Sequence, residues 1–98
     1  MTPLEDVQRS YDAAFRRYLF RHEEIALHAG YELGRAAVAD GMSLLELTQV
    51  HHRVLLSALR QSPSEDLAEV ATAASEFLLE VLAPFDMTQR RFITDTGG

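Results

Sequence analysis

Ninety-eight residues, 47% hydrophobic and 24% charged, make one globular domain, large enough for a single core yet near the size at which oligomerisation often helps. The net charge of −6 excludes general nucleic-acid binding, because a phosphate backbone would be repelled, and the lack of cysteine excludes disulfides, zinc knuckles and thiol catalysis. Thr2, Pro3 and acidic residues follow Met1 in place of a basic and then apolar leader, and no apolar run approaches spanning length, so the expectation is a cytoplasmic chain with no membrane partner.

The first helix is expected over residues 3–20. Thr2 and Glu5 have the spacing of a capping box, with Pro3 at the first helical position where its missing amide costs nothing. Its apolar stripe is Leu4, Val7, Tyr11, Phe15 and Tyr18, with Glu5, Arg9, Asp12 and Arg16 turned outward. The boundary near Phe20, Arg21 and His22 carries no Gly, Pro or cap residue and rests on a change of apolar phase.

Helix two is expected over 22–40, stopped by Gly41. Its polar residues Glu24, His28, Glu32 and Arg35 share one narrow arc, which leaves an apolar surface too wide for a single four-helix core. Gly30 and Gly34, four apart, would admit another helix backbone at a cost of roughly 1 kcal/mol each relative to Ala. The residues on that side, Gly30, Tyr31, Gly34, Ala37 and Val38, are therefore expected to form a homodimer seam, with tight packing inside the monomer as the alternative.

Helix three, 43–61, opens on Ser43 and Glu46 as a second capping box and buries Leu44, Leu47, His51, Val54, Leu55 and Ala58. His51 lies among leucines, the setting of a hydrogen-bonded structural core histidine. Ser62 and Glu65, with Pro63 between them, mark a third box and the start of helix four at 64. That helix is expected to run to about 93, with Leu67, Val70, Ala74, Leu78, Val81, Phe85 and Phe92 on its stripe. Pro84 should kink it without ending it, since the period resumes at Phe85 and Phe92, which are assigned to the dimer exit. Leu79 and Ala83 lie on the far side from the core line and are expected to be exposed although apolar.

These elements predict an all-α fold, a four-helix up-down bundle with an extended, Pro-kinked C-terminal helix, built as a homodimer. No strand period appears. Glu24 and His28 lie on a solvent face and Glu46 points away from His51, so the carboxylate and Glu-x-x-His set of a di-metal bundle is missing and no metal is expected. The chain has no HExxH, G-x-S-x-G or phosphate loop, and Ser10, Ser57 and Ser75 lack a base and orienter, so no catalytic residue and no cofactor are expected. The rival reading is a bundle that senses a small apolar ligand or haem, with His51 as its ligand.

Tyr11, Phe15 and Tyr18 in helix one, "YELGR" at Tyr31 to Arg35, "VHHRVL" at Val50 to Leu55 and "FLLEVLAPFDM" at Phe77 to Met87 occur in this order over nearly the whole chain. Together they resemble the N-terminal domain of RsbU-type phosphoserine phosphatases, which also heads some bacterial sensor histidine kinases. The resemblance implies a dimerising helical bundle, related to the C-terminal domain of the clock protein KaiA. It also implies a non-enzymatic regulatory module that recruits a switch protein of the serine kinase class and controls an attached effector in a bacterial stress response. By position it places His28, Leu79 and Ala83 in the partner-docking surface. His28 and Ala83 are more polar or smaller than a strongly apolar site prefers, which puts the identity of that partner in doubt.

Overall fold

The computed structural model describes residues 3–97, with side chains from residue 4 to residue 88. Thr2 of the first capping box and the side chain of Phe92 lie outside the described residues. Among the described residues are four α-helices, α1 (Pro3–Arg21), α2 (Glu24–Ala39), α3 (Leu44–Arg60) and α4 (Leu67–Gly97), with one 3-10 turn at Ser64–Asp66 and no strand.

Local chemistry sets each boundary. α1 ends at His22, whose φ of 53° is left-handed and whose amide donates to the Tyr18 carbonyl at 2.7 Å. A non-glycine residue supplies the stop here, which is why the sequence carried no terminator. α2 closes with Gly41 at φ 74°: its amide donates to the Val38 carbonyl and that of Met42 to the Ala37 carbonyl, the paired bonds of a Schellman motif. Ser43 and Glu46 form the expected reciprocal box at the start of α3. The Ser62 box is not formed. Its hydroxyl donates instead to the Ala58 carbonyl at 2.7 Å, closing α3, and the chain enters α4 through the 3-10 turn with Pro63 at its cap.

The core consists of Tyr11, Phe15 and Tyr18 from α1, Leu47, Val50, Val54 and Ala58 from α3, and Val70, Ala73, Ala74, Phe77 and Val81 from α4, with Ala26 of α2. Phe77 is fully enclosed, and burying a ring of that size contributes roughly 1.5–3 kcal/mol. Leu78 and Phe85 are only half-buried, while Leu44 is exposed. The helices neighbour one another in the ring α1–α2–α4–α3, and α2 and α3 share no contact among the described residues. This differs from the neighbours that short connections alone predict. The α2–α4 interface is the most extensive in the molecule and sets the order.

Gly30 lies against Phe77 and Gly34 against Val81, so α2 and α4 run in the same direction. A Cβ at Gly30 would sit 2.9 Å from Phe77 Cε1, and one at Gly34 would overlap the Val81 carbonyl oxygen and meet Pro84 Cγ at 3.2 Å. Gly30 and Gly34 are therefore covered by α4 of the same chain, and Ala37 is buried within the monomer as well. Their assignment to a homodimer seam is corrected: the small-residue stripe serves the monomer, because the widest apolar surface of α2 must receive the helix that crosses it. Pro84 is buried in this seam, and α4 continues through it for a total of 31 residues. That is roughly 46 Å of helix against roughly 24 Å for α2, which gives the molecule its 51 Å long dimension.

Two substitutions follow from this packing. Gly34→Ala should destabilise the fold by about 2 kcal/mol, despite the roughly 1 kcal/mol that Ala gains in helix propensity, because a backbone carbonyl cannot yield. Gly30→Ala meets a ring edge and should cost less; denaturant unfolding of the two variants checks the order, and a Gly34→Ala protein as stable as wild type would contradict the seam. At the α1 stop, His22→Val should lose about 1–2 kcal/mol while His22→Gly keeps or improves stability. Equal melting temperatures for the Val and Gly variants would remove the left-handed stop.

Candidate functional site

The seam between α2 and α4 has an inner and an outer side. Inside, Phe77 packs edge-on to Tyr11, with ring centroids 5.1 Å apart at 76°, and against Phe15 at 5.8 Å. Tyr11 is 1% exposed, and its hydroxyl is hydrogen-bonded to His51 Nδ1 at 2.8 Å, the tautomer of the ring deciding which of the two donates. His51 is half-buried and hydrogen-bonded, in keeping with a structural role. Burial and the neighbouring His52 hold its pKa below the ordinary histidine value, and burial pushes the Tyr11 phenol upward.

The outer side is a shallow groove of about 300 Å³ between the two helices, lined by Tyr31, Arg35, Val38, Pro84, Met87 and neighbouring backbone. Parallel packing brings these residues together, since α2 and α4 keep the same advance along their length. The Tyr31 hydroxyl points at Met87 Sδ, 3.7 Å away, a weak acceptor. His28 lies one turn earlier with its ring nearly parallel to that of Tyr31, centroids 6.3 Å apart at 18°. Glu32 approaches both His28 Nε2 at 3.7 Å and Arg35 at 3.4 Å, so three side chains of the polar arc of α2 are paired with one another. Such exposed pairs contribute little to stability, typically 0–1 kcal/mol. They leave the adjoining apolar atoms as the distinctive part of the surface.

The sequence-derived residues divide as follows. Leu79 is 69% exposed and His28 is exposed, whereas Ala83, next to the buried Pro84, is half-buried, so the expectation of an exposed Ala83 is corrected. Tyr31, Val38 and Phe85 are half-buried, Phe85 against the core. Met87, 54% exposed, was not singled out by the sequence, although it closes the "FLLEVLAPFDM" motif and lies one turn beyond Ala83.

Among the described residues no group of three or more His, Cys, Asp or Glu side chains could hold a metal ion. Ser57 Oγ accepts from Arg16 at 3.2 Å and from Gln61 at 3.4 Å, which gives it donors and no base. None of the described cavities is lined by His51, whose Nδ1 is taken by Tyr11. No helix of the described residues is long and apolar enough to cross a membrane.

A family model described as the N-terminal domain of the phosphoserine phosphatase RsbU matches residues 9–88, from the first turns of α1 to the groove residues of α4. No curated protein and no solved structure gives a significant match. The matched span takes in all four helices and both sides of the α2–α4 seam, and it leaves out the last residues of α4. This chain belongs to the RsbU N-terminal domain family, the non-catalytic, regulatory part of a signalling phosphatase.

Proposed function

We propose that this domain is a protein-recruitment and dimerisation module whose long α4 conveys the bound state to an attached effector. The docking face in this reading runs over the α2–α4 seam, with His28 on one helix and Leu79 and the edge of Ala83 on the other. The observation that carries it is the exposure of Leu79 and Met87, two large apolar side chains left open on the helix that also forms the molecule's most extensive interface. A single exposed Leu carries little information. Here Met87 lines a groove beside the paired polar arc, on a helix that continues well past the ends of its neighbours, and those features together support a contact surface.

In this reading the partner is a switch protein of the serine kinase type, which membership of the family supports. A second copy of the chain would use Tyr31, Val38 and Phe85, since Gly30, Gly34 and Ala37 are already covered. Recruitment would act by favouring one arrangement of the two α4 helices over another, which requires the partner to bind the two arrangements with different affinity. A site of action in the cytoplasm suits such a partner.

Capture of interacting proteins from the native cytoplasm by wild type and by Leu79→Asp tests the docking face. The expected outcome is loss of a specific partner with Leu79→Asp while its circular dichroism stays unchanged; equal recovery would remove Leu79 from the site. Light scattering on the wild type at micromolar concentration should return twice the chain mass, and a monomer there would refute dimerisation.

A further inference from the structure

The groove over the α2–α4 seam holds a side chain whose sulfur chemistry neither the packing nor the contact face uses, the thioether of Met87. We propose that Met87 is a peroxide-oxidation site, and that its sulfoxide takes the Tyr31 hydroxyl as a hydrogen-bond donor and so ties α2 to α4 over Pro84. This does not depend on the partner reading above.

Access comes first. A thioether is oxidised only where the oxidant reaches a lone pair of the sulfur, so reactivity follows exposure. Met87 is 54% exposed, whereas Met42 is partly buried and packs against the core. The reaction is a two-electron oxidation of the sulfur. It takes one oxygen from hydrogen peroxide, the O–O bond breaks, and the remaining oxygen leaves as water. Methionine sulfoxide reductases reverse the change at the expense of two thiols, which end as a disulfide with release of water.

The neighbours of the sulfur are donors. Tyr31 Oη lies 3.7 Å from Met87 Sδ, and because a thioether carries no proton the hydroxyl is the donor in that contact. Arg35, which can only donate, lines the same groove and bonds Glu32 through one of its nitrogens. Thr88 gives its hydroxyl hydrogen to the Pro84 carbonyl at 2.9 Å, and Val38, Ala39 and Pro84 make up the apolar part of the lining. A thioether is a weak acceptor for such donors, while a sulfoxide presents a polar oxygen. One bond out from the sulfur and leaning off the line to Oη, that oxygen reaches the ordinary O–H···O distance of about 2.7–2.8 Å with neither helix displaced. The unbranched Met side chain has the torsional freedom to turn it there. Tyr31 belongs to α2 and Met87 to α4, so the new bond spans the outer side of the seam that Gly30 and Phe77 close from within.

Two readouts on the whole chain test this. In the first, hydrogen peroxide is added at neutral pH and quenched at intervals. Cleavage after arginine then leaves the three methionines in separate peptides for mass spectrometry. Met87 should gain its oxygen several-fold faster than Met42; equal rates, or a faster Met42, would overturn the site. The second compares melting temperatures before and after oxidation in a Met42→Leu background, a volume-conserving swap that cores tolerate and that leaves Met87 as the sulfur of the described bundle. Oxidation should shift the melting temperature more favourably with Tyr31 present than in Tyr31→Phe, the difference being the bond between the added oxygen and the hydroxyl. Equal shifts, or a larger loss with Tyr31 in place, would overturn the tie between the helices.

Discussion

The close approach of α2 to α4 is the constraint on which the rest of the structure depends. Gly34 has no room for even one carbon beside the Val81 carbonyl, and Gly30 has barely room beside Phe77. Two glycines inside a 16-residue helix cost about 2 kcal/mol of helix propensity, which the contact with α4 must offset. The offset comes from Phe77. With α2 backbone at one edge and Tyr11 and Phe15 at others, the ring is enclosed on all sides and joins two helices that are not consecutive in the chain. The ring order α1–α2–α4–α3, the parallel run of α2 and α4 and the groove above them all follow from that choice of neighbour.

Much of the frame was legible in the residues. Schellman and capping-box chemistry at Gly41 and Ser43 can be read from composition and spacing, because each needs one residue type at one position. The α1 stop was marked only by a change of apolar phase, since His22 adopts a left-handed conformation with no glycine to announce it. Ser62 shows the converse: the box spacing is present, but the hydroxyl finds a nearer acceptor in Ala58. Phe77 escaped the stripe for a geometric reason. A line stepped in fours, Val70, Ala74, Leu78, advances 400° per step and drifts around the helix by about 40° each time, so it leaves the core that Phe77 and Val81 define.

The glycine pair shows a limit of another kind. Spacing of four says that a backbone comes close; it does not say whose. A wide apolar face on α2 is equally compatible with a second copy and with a long helix of the same chain, and only the three-dimensional placement of α4 decides. The consequence reaches function. With the stripe used internally, what α2 offers outward is the paired arc of His28, Glu32 and Arg35, the rim of Tyr31 and the exposed Ile25, while α4 adds the open side chains of Leu79 and Met87. The seam is buried within the monomer, and the proposed contact face uses the outer sides of the same two helices.

The most direct test of this account is an NMR measurement on a sample that mixes isotope-labelled and unlabelled chains. A nuclear Overhauser contact between the Gly30 α-protons and the Phe77 ring should appear in the fully labelled protein and be absent from the spectrum filtered for contacts between chains. Its appearance in the filtered spectrum would mean that Gly30 faces a second copy, and its absence from both would mean that α2 and α4 do not meet as described; either result would contradict the account.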